Sequence, residues 1–461
     1  MKRALRAGLV AAILTVALAL RIAAVQEHAY TPRNDAGSYL TLASEIAHTG
    51  DYTLSRKPGV GAGGTRGPTA YYAPGFPYLL VAVDVIDGHE VRRDGAIHPA
   101  RIAMAVLGTI IVALIGLVAL ELFGPTAGIF ALALAAVYPV LIELSSILVA
   151  ENLLTALVLG SVYCGLRVRR AGTVASACAW IAGAGVLTGL ATLTHENGIL
   201  ILLPLLVAVS KRAPGAKRHW LIAPALLIAA AAITIAPWTI RNAVVMHSFI
   251  PVSDETGITL VGTYNPASAA DPQVPYKWLI FYGIPGEGPL IRQGSHLTEP
   301  QMSAKLERQA LGYIAKHPFS PIEVAFHNTL RMFELEGSFA WHASAKAQSI
   351  ASDRAGVGVV SFWILCGLAL AGSFTQLTRA APKWIWFVPL LLALSVVLVN
   401  VETPRFRAPV DPFLILLAAA ALVTAAARVG SALGRTPVVG ETRDPVAAGP
   451  AQLVEMRERL P

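Results

Sequence analysis

The sequence predicts an all-α protein that crosses a lipid bilayer many times. Of its 461 residues, 55% are hydrophobic and only 14% are charged, a balance far from that of water-soluble domains. The hydrophobic residues occur in runs of the length that a hydrocarbon core of about 30 Å requires of a helix. Lys and Arg gather in several of the short loops between these runs, as they do in polytopic membrane proteins.

Ten hydrophobic runs are predicted to be transmembrane helices, of which the one at 198–210 is short. A further stretch at 74–86 is too short to cross and contains Asp84, so we expect it to dip into the outer leaflet. The ten runs lie near residues 7–25, 99–122, 125–142, 147–166, 173–193, 198–210, 219–238, 356–377, 384–400 and 409–427.

The first run has a second interpretation. The stretch "MKRALRAGLVAAILTVALAL" combines a basic start, an apolar core and small residues near its end, which is also the pattern of a secretory signal peptide. Under both interpretations the residues that follow it emerge on the outer side of the membrane.

The basic loops set the orientation. Lys and Arg cluster at the N-terminus, at 167–172, at 211–219, at 379–383 and after residue 428, and all of these places are inside if the N-terminus is inside. The net charge of +8 therefore comes from the inner loops and does not indicate a nucleic-acid partner.

This orientation divides the chain into four parts. A transmembrane module at 1–240 contains the first outer segment, 26–98, and is followed by an outer loop domain at 241–354. The C-terminal transmembrane helices occupy 355–428, and 429–461 is predicted to be a flexible cytoplasmic tail because it is rich in Pro, Gly and charge.

The outer loop domain is predicted to contain amphipathic helices. Start signals stand at Thr298-Glu299-Pro300 and at Ser320-Pro321, and both helices are interpreted as scaffold. The four histidines near them lack the spacing of a metal cluster, and we predict neither a metal nor a cofactor. All three cysteines lie within or at the edge of spans, so no disulfide framework is expected.

Two acidic residues stand where the chain leaves or enters the membrane on the outer side. Asp35, in "PRNDAGSYL", lies at or near the start of an amphipathic helix, and it either caps that helix or belongs to a site. Glu151 directly precedes a hydrophobic run, where an acidic group is costly, and helix capping and a site role are both open for it.

Basic residues also stand on the outer side, against the usual bias. Arg241, Arg405 and Arg407 lie at the outer ends of spans, where a single Arg commonly snorkels to the interface. Several of them together suggest an anionic ligand, because the guanidinium matches phosphate well. The Gly-rich stretch 57–77 adds Lys57 and Arg66, which a mobile lid would bring over such a ligand, although its glycines are equally typical of plain flexibility.

An ordered set of motifs resembles the bacterial GT-C glycosyltransferases, with protein O-mannosyltransferases and lipid A aminoarabinose transferases as the nearest groups. The resemblance runs from about residue 5 to about residue 428. After Asp35 the motifs are "TGDYT" at 49–53, "YYAPGFPYLL" at 71–80, "YPVLIELSSILVAENL" at 138–153, "GLATLTHENG" at 189–198, "APWTIRN" at 236–242 and "PRFRAPVDPFLILLAA" at 404–419.

The resemblance implies a GT-C fold with about ten transmembrane helices, outer-leaflet juxtamembrane helices and an extracytoplasmic loop domain. It implies an enzyme that moves a hexosyl or pentosyl group from a polyprenyl-phosphate sugar to an acceptor protein, lipid or polysaccharide. The expected location is the bacterial inner membrane, with the active site facing outside and no nucleotide needed.

The resemblance also assigns roles to residues. Asp35 takes the place of the catalytic Asp of the family, which implies that it is the general base of an inverting reaction. Glu151 takes the place of a second acidic group. Arg241, Arg405, Arg407, Lys57 and Arg66 are assigned to the donor phosphate, and Tyr39, Tyr72 and His195 to the sugar or acceptor pocket. Two departures stand out: Ala36 where an acidic residue is common, and His195, mostly neutral at pH 7, where Arg is common.

Two other classes of function remain open at this point. A transporter or flippase of lipid-linked sugars fits the number of spans and the outer basic residues, but the sequence has no clear inverted repeat and no charges at mid-membrane. A non-catalytic receptor or assembly protein would need no acid beside a phosphate site.

Overall fold

The computed structural model describes residues 2–27, 30–54, 65, 68–88, 97–210 and 221–433, and all regular structure within these ranges is helical. The α-helices in chain order are α1 (Lys2–Glu27), α2 (Asp35–Thr49), α3 (Gly75–Asp87), α4 (Ile97–Phe123), α5 (Pro125–Val137), α6 (Pro139–Leu144), α7 (Ala150–Val168), α8 (Val174–Thr194), α9 (Leu202–Ser210), α10 (Ile222–Val245), α11 (Thr256–Thr263), α12 (Pro266–Ala269), α13 (Gly288–Gln293), α14 (Glu299–Lys316), α15 (Ser320–Met332), α16 (Ser338–Ala347), α17 (Ser352–Ser373), α18 (Gln376–Ala380), α19 (Trp384–Val397) and α20 (Asp411–Ala432).

All ten predicted runs are helical, but they differ in length. Within the described ranges, six helices are long and apolar enough to cross a membrane by length and composition: α1, α4, α8, α10, α17 and α20. The run at 125–142 is divided into α5 and α6 at Tyr138, because Pro139 cannot continue a helix but readily begins one. The run at 198–210 opens with a 3₁₀ turn, Glu196–Ile201, which leaves α9 short.

The spans pack around α7 and α8. α7 contacts α8 and α4, α10 packs on α8, and α17 packs on α20. The last pair approaches closely at Gly372, where an added Cβ would lie 1.8 Å from the carbonyl oxygen of Leu417. Small residues at such crossings let two backbones come together, as expected inside a membrane.

Arg21 joins α1 to the end of α5. Its side chain is fully buried, and its guanidinium donates hydrogen bonds to the carbonyls of Ala135 and Ala136, both at 3.2 Å, and of Ala17 at 3.0 Å. The carbonyls of the last turn of a helix lack partners within the helix, so a cation there satisfies them and opposes the negative end of the helix dipole.

The outer domain has its own apolar core. α11 packs on α14 through Ile258, Val261, Met302 and Leu306, and Val324 of α15 joins them. α14 begins as its sequence predicts: the hydroxyl of Thr298 accepts from the Gln301 N–H, and the Gln301 side chain accepts from the Thr298 N–H, which forms a capping box. α10 runs to Val245, beyond the predicted boundary at 240.

Candidate active site

Asp35 is the first residue of α2, and its carboxylate does not cap that helix. Asn34 precedes it with a φ of 51°, a left-handed conformation that Asn tolerates better than most residues. Asp35 Oδ1 accepts a hydrogen bond from the Tyr72 hydroxyl at 2.8 Å, and Oδ2 accepts one from Arg405 Nη1 at 2.5 Å. With the Asp35 side chain still 30% exposed, the carboxylate is held in place and open to a ligand.

Arg405 lies at the centre of three carboxylates. It begins a 3₁₀ turn, Arg405–Arg407, between α19 and α20. Besides Asp35, its guanidinium lies 3.1 Å from Glu402 Oε2 and 3.8 Å from Glu151 Oε1. The Nε atom of Arg405 is buried and has no hydrogen-bond partner among the described residues. The cluster therefore brings three acidic side chains to one guanidinium, and Glu151 is the acidic residue nearest to its Nε.

Glu151 forms the wall behind Arg405. It lies in the first turn of α7 and is only 4% exposed. The positive end of the helix dipole reduces the cost of burying an acidic group at this position. Asp35 and Glu151, far apart in the chain, thus flank the same guanidinium.

Tyr72 and Tyr39 form an aromatic wall beside Asp35. Their ring centroids are 4.9 Å apart in an edge-to-face arrangement, and Tyr39 meets Phe76 of α3 at 5.0 Å in the same way. Both tyrosines are buried in the cluster that joins α2, α3 and α4. The residues from Thr69 to Phe76 are therefore packed, whereas most of the proposed lid before them, with Lys57 and Arg66, lies outside the described residues.

His195 ends α8 and faces the same cluster. Its ring lies edge-on to Phe406 at 6.4 Å, and the charges of Arg405 and Asp35 both act on it. Its Nδ1 atom is buried without a hydrogen-bond partner in the described part of the chain. Burial lowers the pKa of His195, so its ring is neutral and able to offer an N–H rather than a charge.

Asp35 keeps its negative charge although it is partly buried. Burial favours the neutral acid, but the nearby Arg405 charge and the hydrogen bonds from Arg405 and Tyr72 outweigh it, so the pKa of Asp35 lies below its ordinary value. Asp35 is therefore ionised at neutral pH.

Two acidic residues near the site were missed in the sequence. Glu402 pairs with Arg405 across three residues. Burial raises the pKa of Glu255, just before α11, well above its ordinary value, and the charges of Glu196 and Asp35 raise it further. Glu255 lies in an irregular loop, where no periodicity or motif marked it, and it adds a buried carboxyl group to the surroundings of Asp35.

Arg241 does not join Arg405. It donates to the carbonyls of Thr69 at 2.8 Å and Tyr52 at 3.2 Å, and its guanidinium lies 4.8 Å from the Trp238 ring centroid. These contacts attach the end of α10 to the first outer segment. The prediction that Arg241 converges with the other arginines on a phosphate is corrected, because backbone carbonyls and an aromatic face occupy it.

Arg407 is also excluded from the cluster. Its side chain is almost fully buried, and it binds Glu334 at 2.9 Å, Asp411 at 3.0 Å and the Met332 carbonyl at 3.0 Å. The Tyr138 hydroxyl completes this second network through Asp411. Its predicted role at the phosphate is corrected, since its donors are already matched inside the protein.

The described residues contain no group of three or more His, Cys, Asp or Glu side chains placed to hold a metal ion. Asp35, Arg405, Tyr72 and His195 bring a fixed carboxylate, a guanidinium, a tyrosine hydroxyl and a neutral imidazole to the site.

Comparisons with known proteins point to one group. The family described as dolichyl-phosphate-mannose-protein mannosyltransferase matches residues 75–240, and no curated protein matches the chain. The oligosaccharyltransferase of Archaeoglobus fulgidus, tethered to an acceptor peptide, is similar with a TM-score of 0.56 and 13% identity over 94% of this chain and 52% of that one. The archaeal oligosaccharyltransferase AglB from Archaeoglobus fulgidus, in complex with an inhibitory peptide and a dolichol-phosphate, is similar with a TM-score of 0.53 and 13% identity over 92% of this chain and 51% of that one. ArnT from Cupriavidus metallidurans bound to undecaprenyl phosphate has a TM-score of 0.42 and 18% identity over 94% of this chain and 81% of that one.

The predicted resemblance to the GT-C glycosyltransferases is confirmed, and so is the predicted fold class, an all-α GT-C membrane protein. The identities are low, so the similarity to the solved structures is one of fold. The chain spans about half the length of the oligosaccharyltransferase that it matches.

Proposed function

We propose that the protein transfers a sugar, hexosyl or pentosyl, from a polyprenyl-phosphate donor to an acceptor at the extracytoplasmic face of a bacterial inner membrane. The observation that carries this proposal is the cluster of Asp35, Tyr72, Arg405 and Glu151 beside the ends of the spans. The family match and the GT-C fold support it, and one similar enzyme is described in complex with dolichol-phosphate.

The proposed reaction is a displacement with inversion at the anomeric carbon. An acceptor hydroxyl oxygen bonds to that carbon, the bond from the carbon to the phosphate oxygen breaks, and its electron pair stays on the phosphate. The hydroxyl proton passes to Asp35. A phosphate is a good leaving group, so one carboxylate suffices and no general acid is needed on the donor side.

Arg405 binds the donor phosphate in this proposal. The phosphate gains a negative charge as the sugar departs, and the guanidinium of Arg405, held in place by its carboxylate partners, stabilises that charge. A phosphate beside Arg405 also weakens the hold of Arg405 on Asp35. The donor therefore makes Asp35 more basic when the base is required, since the Arg405 charge keeps the pKa of Asp35 low.

The surrounding residues position these two groups. Glu151 and Glu402 hold the guanidinium from two further sides, so Glu151 orients Arg405 rather than touching the reacting atoms. Tyr72 orients the Asp35 carboxylate. Tyr39 and His195 form part of the pocket that receives the sugar or the acceptor.

The test uses the full chain in lipid nanodiscs with a synthetic polyprenyl-phosphate sugar, together with mass spectrometry of the lipid that purifies with it. The expected result is the release of polyprenyl phosphate, in step with sugar of inverted anomeric configuration on an added acceptor. In vesicles, movement of the intact donor between leaflets without cleavage would instead establish a flippase and overturn the proposal.

A further inference from the structure

A cavity lies between the outer ends of α1 and α17. Its volume is about 370 Å³, within the range of about 300–1,000 Å³ that is usual for ligand pockets. α6, which packs on both spans, and α16 complete its walls. Neither Asp35 nor Arg405 lines this cavity, so it is separate from the candidate active site.

The walls of the cavity run from the outer ends of the two spans toward the centre of the bilayer. At the outer end, Arg354 of α17 lies 3.3 Å from Glu27 of α1, and both residues line the cavity. Leu20, also in the wall, is seven residues before Glu27, which is about 10 Å along a helix axis. Most of the lining is apolar, and a cavity of this kind suits hydrocarbon better than water.

The cavity is open to the lipid-facing side of both spans. Leu20 and Val357 line it and are 37% and 58% exposed, on helices long and apolar enough to cross a membrane. A chain of a membrane lipid can therefore enter from the side. Transfer of a hydrocarbon chain from the bilayer to an apolar cavity brings no hydrophobic gain, because the lipid tails are equally apolar. The head group must therefore decide which lipid binds.

The charges at the outer rim favour a head group with a positive charge. Among the described residues that line the rim, three are acidic, Glu27, Glu143 and Asp353, and one is basic, Arg354. The guanidinium of Arg354 is shared between Glu143 at 3.1 Å and Glu27, whose side chain is 65% exposed. An ammonium group can pair with the acidic side chains while a phosphate beside it meets Arg354. A head group with only negative charge would face an excess of like charge.

We propose that this cavity binds one membrane phospholipid with a zwitterionic ammonium head group, the head at the rim and one acyl chain between α1 and α17. Thr403 and Pro404 form part of the same lining, and Pro404 immediately precedes Arg405. The bound chain therefore packs against the loop that carries Arg405. The proposed donor is a different ligand, because its head group is anionic and does not match the rim.

The test measures lipid binding to the full chain by native mass spectrometry, with phosphatidylethanolamine and phosphatidylglycerol that have identical acyl chains. We expect one phosphatidylethanolamine per chain, bound about fivefold more tightly than phosphatidylglycerol, which is the scale of one exposed ion pair. Equal binding of the two lipids, or tighter binding of phosphatidylglycerol, would overturn the proposal.

A pair of variants on α17 tests the location. Gly358 lines the cavity, and a Cβ added there would make only an ordinary contact, 3.5 Å from Val140, so Gly358→Leu places a side chain in the space of the acyl chain. Gly367→Leu on the same helix is the matched control, because a Cβ added at Gly367 meets nothing within 4 Å. Phosphatidylethanolamine binding is expected to weaken at least about tenfold in Gly358→Leu and to stay unchanged in the control. Equal binding to both variants would contradict the assignment.

A third variant tests the rim without filling the cavity. Glu27→Gln combined with Asp353→Asn changes two exposed side chains, and it should abolish the preference for phosphatidylethanolamine over phosphatidylglycerol. A preference that persists would contradict the role of the rim. Polyprenyl phosphate is titrated in parallel: if its binding were lost in Gly358→Leu but not in Gly367→Leu, the cavity would belong to the donor and the proposal would be overturned. None of these measurements depends on the proposed transfer activity.

Discussion

Arg405 and Arg407 stand two residues apart on one 3₁₀ turn and have opposite surroundings. Arg407 is almost fully buried, and its donors meet Glu334, Asp411 and a backbone carbonyl. Arg405 is 14% exposed and is shared among three carboxylates, one of which is itself 30% exposed. The first cluster is closed and the second is open.

The difference between the two clusters indicates how structure and function are divided in this loop. A closed buried ion pair contributes little net stability, but removing one partner leaves an uncompensated charge and is strongly destabilising. An open cluster, in which one guanidinium is shared among three acidic side chains and one of these is exposed, is suited to receive a ligand. We therefore expect changes in the open cluster to affect activity and changes in the closed cluster to affect folding.

The largest expected effect lies in the open cluster. Asp35→Asn preserves the size of the side chain but removes the base, and transfer is expected to fall by roughly 10²–10⁴-fold, as is typical of lost acid–base catalysis. The thermal midpoint of unfolding in detergent should change little. Glu45→Gln on the same helix serves as the matched control and should keep full activity. An active Asp35→Asn variant would show that the open cluster is not catalytic.

Substitution of each arginine by Met tests the distinction between the two clusters directly. Arg407→Met leaves Glu334 and Asp411 buried without a cation, which is expected to cost about 3–5 kcal/mol of folding free energy. Arg405→Met should lower the thermal midpoint less than Arg407→Met, because Asp35 is 30% exposed and water can hydrate it, and it should abolish transfer. The measurements are thermal unfolding and transfer rate for both variants. Equal destabilisation by the two substitutions would contradict the distinction between closed and open clusters.

Glu299, a buried residue outside both clusters, has hydrogen bonds but no ion pair among the described residues. Glu299 accepts from the Thr69 hydroxyl and the Ala70 N–H, yet burial raises its pKa to about 7. Because the folded state prefers the protonated form, stability is highest below the ordinary pKa of Glu, about 4.5, and is lost as pH rises to about 7.

Glu299→Gln should remove this dependence and raise the free energy of unfolding at pH 8 by on the order of 1–3 kcal/mol. The measurement is the difference in thermal midpoint between wild type and Glu299→Gln at pH 5 and pH 8. An identical difference at the two pH values would show that Glu299 is ionised throughout.

The smallest expected effect is at Glu151. Glu151→Gln keeps an oxygen near Arg405 but removes the charge that lies 3.8 Å from its Nε, so transfer is expected to fall by about tenfold, the equivalent of roughly 1.4 kcal/mol. Donor affinity and transfer rate should be measured separately. A loss as large as that of Asp35→Asn would place Glu151 in contact with the reacting atoms.

The sequence predicted the helices better than the directions of their side chains. Hydrophobic runs and the Thr298 start signal are local properties, and they marked where helices begin. Of the residues that the motifs marked, Asp35, Glu151 and Arg405 lie together in the structure, and their roles stay predictions. The motif order could not separate Arg405 from Arg407, because residues two apart on a 3₁₀ turn point about 120° apart, and which side faces the site depends on packing.

The positions of Arg241 and Glu255 also depend on packing that the sequence alone does not reveal. Arg241 lies at an outer helix end like Arg405, but the carbonyls of Thr69 and Tyr52 that bind it come from a distant segment. Glu255 becomes part of the site only because α11 brings its preceding loop toward Asp35. Contacts between such separated segments leave no mark in a single sequence.

The hydrogen bonds of Arg21 bear on how the N-terminal helix is treated during export. A signal peptidase that cut after α1 would carry away the donor that the carbonyls of Ala135 and Ala136 bind, and would leave the end of α5 unpaired in the protein interior. Cleavage and this fold are therefore incompatible. Of the two interpretations of the first hydrophobic run, the retained transmembrane helix is the one that agrees with these contacts.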